Sequence, residues 1–244
     1  MPEEIEKYVS LMTDRSACEV GGRTYHLGKI KGTEVVIVFS RWGKVAAATT
    51  ATTLIQCFKA SKIVFTGVAG AIDPNIKIGD IVIAKRLIQH DMDARPLMRQ
   101  FEIPLLGVDY FNVDDSEISI ANDAFSQVLS EKFTDKENSR TPKIFLGEIA
   151  SGDKFFSNQS DKEKLTEQLP SVSCVEMEGA AVAQVCYEYR IPFVVIRVIS
   201  DEAGNHAEFD FAEFVKQVSS RYLLPFIDLY FEILSSRKFL QGKS

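Results

Sequence analysis

The stretch Phe193-Val194-Val195-Ile196-Arg197-Val198-Ile199 decides the fold class, because it is strand-forming throughout and shows no alternation of polar with apolar residues. Strands with one wet face alternate, whereas strands covered on both faces run on unbroken. Similar runs stand at 34–39 (EVVIVF), 62–65 (KIVF), 81–84 (IVIA) and 143–146 (KIFL). Helical segments lie between and around them, at 44–59, about 116–133, 161–168, 178–190 and about 208–238. The order predicts an α/β fold, a single domain over residues 1–244, with a central sheet flanked by helices on each side. Val182, Val185, Cys186 and Tyr189 fall on one helix face, and Ile5, Tyr8, Val9 and Met12 repeat that spacing near the start. The stretch 85–115, with Pro96, Pro104 and Gly107, reads as a long irregular segment, the kind that is usually functional or ordered by a partner.

Composition narrows the function classes. The 244 residues are 45% hydrophobic and 25% charged, with 14 Gly and 8 Pro, which excludes a disordered or collagen-like chain. A chain of this length buries roughly 70–75% of the surface its unfolded form exposes. There are 28 basic and 34 acidic residues, a net charge of −6, and no basic run tracks a phosphate backbone, so no nucleic-acid partner is expected. Cys18, Cys57, Cys174 and Cys186 are scattered without CxxC spacing, as in thiols kept reduced in the cytoplasm. No run approaches the ~20 apolar residues of a membrane span, and Met1-Pro2-Glu3-Glu4 does not open a signal peptide.

Several turns beside the strand-like runs carry residues suited to chemistry. Thr66-Gly67-Val68-Ala69-Gly70-Ala71 follows one run, at the position where open α/β sheets bind ligands. Its glycines either form a plain connection or let a ligand reach the backbone; the segment is neither GxGxxG nor a P-loop. Ser200-Asp201-Glu202-Ala203-Gly204 ends another run, and Asp201 is either a proton donor and acceptor or a helix cap or Asx-turn. In Val175-Glu176-Met177-Glu178-Gly179-Ala180-Ala181 two acids flank a methionine where a strand gives way to a small-residue helix. The helix macrodipole accounts for one acid comfortably, and less well for the thioether between them. Gly152-Asp153-Lys154-Phe155-Phe156 pairs two aromatics beside a polar turn, as core or as a platform for a flat heterocycle. Gln89-His90-Asp91-Met92-Asp93 has the residue types of a metal site, but His26, His90 and His206 lack ligand spacing, so no metal is expected. No GxSxG elbow or evident Cys–His pair supplies a nucleophile.

Taken together, Thr66–Gly70, Ser151–Phe155, Val175–Glu178, Ile199–Asp201 and Gly43-Lys44-Val45-Ala46-Ala47-Ala48 resemble the bacterial 5′-methylthioadenosine/S-adenosylhomocysteine nucleosidases, in order and over nearly the whole chain. The resemblance implies a nucleoside phosphorylase-like fold with a mixed, partly closed central sheet, a homodimer, an adenine nucleoside as substrate and no cofactor. It also implies roles. Asp201 is the general acid that protonates adenine N7 so that the base leaves neutral, and Glu4 polarises the attacking water. Glu178 holds the ribose hydroxyls, with Met177 against the sugar; Ser200 belongs to the same site. Phe155 stacks on adenine, backbone groups of Phe156 hold its edge, and Gly70 allows close approach. Trp42 lines the 5′-alkylthio pocket, with the loop 97–105 reaching towards a neighbouring subunit. As the C–N bond stretches the ribose gains positive charge, which nearby carboxylates stabilise more than they do the ground state.

Within the superfamily the alternatives are a purine nucleoside phosphorylase and an inactive nucleoside-binding protein. Phosphorylases hold a phosphate dianion with an arginine and a serine, at positions that here read Phe65 and Val68. Neither offers a side-chain donor, and Glu4 would repel a dianion, so water is the expected nucleophile. Family members open on a short apolar strand that leads into the acidic segment, and this sequence begins at Met1, beyond it. The expectation is a domain without that strand, with neighbouring ladder groups unpaired at about 1–3 kcal/mol each and Glu4 on a segment prone to fraying.

Overall fold

In the computed structural model, residues 2–132, 140–203 and 219–241 are described, with side chains over 5–131, 140–203 and 221–237. The elements in chain order are α1 (Pro2–Ser10), β1 (Thr13–Val20), β2 (Arg23–Ile30), β3 (Thr33–Ile37), α2 (Lys44–Phe58), β4 (Ile63–Ala71), β5 (Ile81–Gln89), β6 (Tyr110–Asn112), α3 (Asp115–Lys132), β7 (Ile144–Ser151), α4 (Gln159–Gln168), β8 (Val172–Glu176), α5 (Gly179–Tyr189), β9 (Phe193–Asp201), a π-helical turn (Ser219–Leu223) and α6 (Leu224–Gln241).

The central sheet has the order β6-β5-β7-β8-β4-β9, and β5 also pairs with β9, so five strands close on themselves with β6 as a flap. β5, β7 and β8 run parallel, as do β4 and β9, and the two sets meet antiparallel. Every residue of β9 is buried, as the unbroken apolar run implies. Helix α2 packs against α5 on one side of the sheet, and α3 against α6. The face of α2 turned inward is Ala47, Thr50, Ala51 and Ile55, small residues that let the helix lie close to its neighbour.

The register positions the site. Gln89 of β5 lies opposite Ser151 of β7, and Ser151 opposite Glu176 of β8. The antiparallel contact of β4 with β8 pairs Gly70 with Val175, and the parallel contact with β9 pairs Gly70 with Asp201. The C-terminal ends of β8, β4 and β9 therefore meet at one spot, with the ends of β5 and β7 ranged beside that of β8, and strand ends of this kind are where ligands of α/β sheets bind.

Three sequence expectations need correcting, and a fourth falls partly outside the described residues. The run 34–39 belongs to a separate antiparallel sheet, β1-β2-β3, and not to the central one. Its hairpins turn at Gly21-Gly22 and Lys31-Gly32, where all four φ values are positive, from 47° to 78°, as a two-residue type I′ turn requires. Strand β5 continues through 85–89, which were expected to be irregular. The register shifts between Ala84 and Arg86, and the Arg86–Glu148 ion pair satisfies the charge that masked the strand. Met12 is buried but lies past α1, which ends at Ser10. The C-terminal helix, expected from about 208, is described from 219, and 208–218 lie outside the described residues.

Among the described residues, β3 has no ladder partner on its outer edge, and β4 over Ile63–Ala69 pairs on one side only. Both edges line the same cavity.

Candidate active site

Glu176, the last residue of β8, is saturated with donors. Its carboxylate accepts from Gly179 N at 2.8 Å, Glu178 N at 3.1 Å, Arg197 Nη2 at 2.6 Å, Arg197 Nε at 3.2 Å and Ser151 Oγ. The Arg197 and Glu176 side chains are only 1% and 3% exposed, and the guanidinium also lies 4.4 Å from the centre of the Phe65 ring. Ser151 Oγ in turn accepts from Ala180 N at 2.7 Å, so the opening amides of α5 are held by Glu176 and Ser151 together. Sequence reasoning assigned one acid of the pair to this capping duty without saying which; it is Glu176.

That frees Glu178. It occupies the N-cap position of α5 but makes no side-chain cap bond. Its Oε1 instead accepts the Gly43 N–H at 2.8 Å, across the cavity mouth at the start of α2. Burial, then the neighbouring Glu176 charge, raise the Glu178 carboxyl to about 7, against the opposing pull of Arg197 and of the Gly43 and Met177 amides. A carboxylate poised there can bind sugar hydroxyls and respond to a nearby positive charge.

Asp201 closes β9 and is 3% exposed. Its Oδ1 accepts from Ala203 N at 2.8 Å, the Asx-turn that sequence reasoning weighed, and its Oδ2 lies 2.8 Å from Ser200 Oγ. Ser200 Oγ also sits 3.3 Å from Ala69 O. A hydroxyl can turn its hydrogen to that carbonyl and accept from a protonated carboxyl, so Asp201 has a partner in either protonation state. Gly70 has a reason of its own beside the expected close approach of a ligand. A Cβ at that position would stand 2.7 Å from Asp201 Oδ1 and 2.8 Å from Ala203 Cβ, so the glycine makes room for the acid. Gly67 does the same for Arg197, 3.3 Å from its Nη1.

Glu178, Asp201, Ser200, Met177, Phe155, Phe156, Gly70 and Trp42 all line one cavity of about 1730 Å³. A nucleoside pocket needs roughly 300–1,000 Å³; the excess is the gap between β3 and β4. Phe155 is 41% exposed, whereas Phe156 is buried, edge-on to His90 with ring centres 5.3 Å apart. Trp42 is 64% exposed at the rim. Glu4 lies on α1, but its side chain falls outside the described residues.

Sequence reasoning missed Arg197, Ser151 and the capping role of Glu176. The signal was present in Arg197, a cation inside an apolar run, which has to find a carboxylate when buried. It also passed over Asp91 once a metal was set aside. The Asp91 carboxylate accepts from Lys44 Nζ at 2.6 Å and Asp153 N at 2.9 Å.

A family model described as the phosphorylase superfamily matches residues 1–224. An aminodeoxyfutalosine nucleosidase of Campylobacter jejuni is 36% identical over 92% of this chain and 93% of its own length. A 5′-methylthioadenosine/S-adenosylhomocysteine nucleosidase of Colwellia psychrerythraea is 37% identical over 88% of this chain and 86% of its own. The solved structure of the Colwellia nucleosidase with adenine superposes with a TM-score of 0.84 at 32% identity, covering 94% of this chain and 91% of that one. Sequence and architecture agree in this over almost the full length, and the chain belongs to the phosphorylase superfamily, in the family of the 5′-methylthioadenosine/S-adenosylhomocysteine nucleosidases.

Proposed function

We propose that this protein hydrolyses the N-ribosidic bond of 5′-methylthioadenosine and S-adenosylhomocysteine, releasing adenine and the corresponding thioribose. The observation that carries this reading is the opening of Glu178, Asp201 and the exposed ring of Phe155 into one cavity.

The purine stacks on Phe155, with the backbone of Phe156 at its edge. Asp201 gives a proton to N7, which makes adenine a neutral leaving group. Glu178 holds the ribose hydroxyls and, once ionised, stabilises the positive charge that grows on the sugar as the bond breaks. Met177 lies against the sugar and Trp42 borders the 5′-alkylthio end. Water polarised by Glu4 adds its oxygen to C1′ and passes a proton to the Glu4 carboxylate. The site favours water over phosphate because Phe65 and Val68 offer no side-chain donor and Arg197 is bound to Glu176.

Assays with and without phosphate, identifying the sugar product, test the reading. Release of the free thioribose at an unchanged rate is expected; strict phosphate dependence with a sugar 1-phosphate would make the protein a phosphorylase. Tight nucleoside binding without adenine release would make it a binding protein. The relative from Campylobacter favours aminodeoxyfutalosine as a further substrate, and a panel of 5′-substituted adenosines including it ranks the two. We also assign the protein to the cytoplasm as a homodimer. Its four free cysteines support the first, and the bare Leu97 and Leu105 in the loop expected to meet a partner, 88% and 92% exposed, support the second. Sedimentation measures the second.

A further inference from the structure

Three backbone and side-chain links join the start of α2 to the loop that follows β7. Lys44 N donates to Asp153 Oδ1 at 2.8 Å, Asp153 N to Asp91 Oδ2 at 2.9 Å, and Lys44 Nζ to Asp91 Oδ1 at 2.6 Å. They form a closed ring in which one carboxylate, Asp91, holds the side chain of one segment and the backbone of the other. Lys44 Nζ also reaches Gln89 Oε1 at 3.1 Å, and Gln89 Nε2 donates to Gln184 of α5 at 2.6 Å, so the ring is anchored to β5 and α5.

Both segments carry site groups. The residue before Lys44 is Gly43, whose N–H holds Glu178, and two residues after Asp153 comes Phe155. Gly43 has no side chain with which to cap α2, and with φ at 87° it occupies backbone space that favours glycine. Asp153 performs that capping from across the cleft, placing a negative charge at the positive end of α2. The Lys44–Asp91 pair is only partly exposed, with side chains 17% and 32% accessible. Burial raises the Asp91 carboxyl, but the hydrogen bond from Lys44, the Asp153 amide and the Lys44 charge outweigh it and hold the group below its usual value.

We propose that Asp91 is a positioning residue for the hydrolysis, a latch that ties the α2 start to the 152–156 loop and so keeps the Gly43 N–H on Glu178 and the Phe155 ring over the base. This rests on the assignment of Glu178 to the ribose. Asp91 lines no part of the cavity among the described residues and acts through Lys44 and Asp153.

The test uses the full chain with 5′-methylthioadenosine and the variants Asp91→Ala, Lys44→Met and their double, with Asp91→Asn as a milder change should Asp91→Ala fold poorly. Losing a charge-assisted bond predicts a drop of about tenfold in kcat/KM for each single variant. Because both variants break the same ring, the double should fall no further than the worse single. A second readout separates positioning from general loosening. The charged groups facing Glu178 are Glu176 from β8 and Arg197 from β9, and the start of α2 contributes the Gly43 amide. That amide favours the ionised carboxyl, so loosening it should shift the acid limb of the kcat/KM profile to higher pH. Single variants within twofold of wild type, losses that multiply in the double, or an acid limb that stays in place would each overturn the latch. Glu178→Gln with wild-type kcat/KM would instead overturn the ribose assignment, so the two failures are distinct.

Discussion

Glu176 and Glu178 stand two residues apart at the junction of β8 and α5, yet one serves the fold and the other faces the cleft. Glu176 is enclosed by amides, a hydroxyl and a guanidinium, and every direction its oxygens face is occupied. Glu178 has only the Gly43 and Met177 amides against it and lines the cavity. The contrast teaches that donor count, more than residue type, divides structural from reactive carboxylates: saturation locks a charge in place, and under-satisfaction leaves it available to a substrate.

The largest expected effect breaks the saturated side. Arg197→Met leaves Glu176 buried and uncompensated, and should cost about 3–5 kcal/mol, measured as a fall in the urea midpoint. A loss below about 1 kcal/mol would mean that the amides alone suffice. On the reactive side, Asp201→Asn should lower adenine release by at least ~10² while leaving the melting temperature near wild type, since its local partners survive. Gly70→Ala puts a methyl group 2.7 Å from Asp201 Oδ1. It should destabilise by about 1–3 kcal/mol and depress turnover, whereas Gly67→Ala, 3.3 Å from Arg197, should do less.

The smallest effect sharpens the contrast through pH. In the free protein Glu178 holds its proton up to about 7, where the unfolded chain releases it near 4.5. Its contribution to stability is therefore full below 4.5 and lost as pH rises through about 7. On the assignment of Glu178 to the ribose, activity runs the other way: the ionised form is the working one, so kcat/KM should climb through that range, and Glu178→Gln should flatten the climb. Denaturant titrations and rate profiles over the same pH series check both slopes.

Much of this is legible in the amino-acid sequence. The unbroken runs of β5 and β9 announce strands covered on both faces, and both runs are buried throughout, whereas the run at the start of β7 leaves Leu146 48% exposed; the small-residue stretch after Glu178 announces a helix lying close to its neighbours. What stayed hidden depends on pairings that no local pattern encodes. β1 is exposed along nearly all its length, so it lacks the apolar signal, although Gly21-Gly22 marks its turn. The second half of β5 was masked by Lys85, which is exposed, and by Arg86, whose charge is accommodated only once Glu148 of β7 lies alongside. Asp91 was weighed as a metal ligand because its true partners, Lys44 and Asp153, come from distant segments. The motifs assigned to the acid and to the ribose stand out because each sits at a strand end, where a short stretch of sequence carries its own turn chemistry.

The hydroxyl of Ser200, between Ala69 O and Asp201, bears on what happens after the products leave. On the assignment of Asp201 as the acid, each round of bond cleavage empties it of a hydrogen that must be regained before the next nucleoside arrives. Rotation about one side-chain bond then suffices to accommodate the emptied and the refilled states, and neither strand end has to shift between rounds.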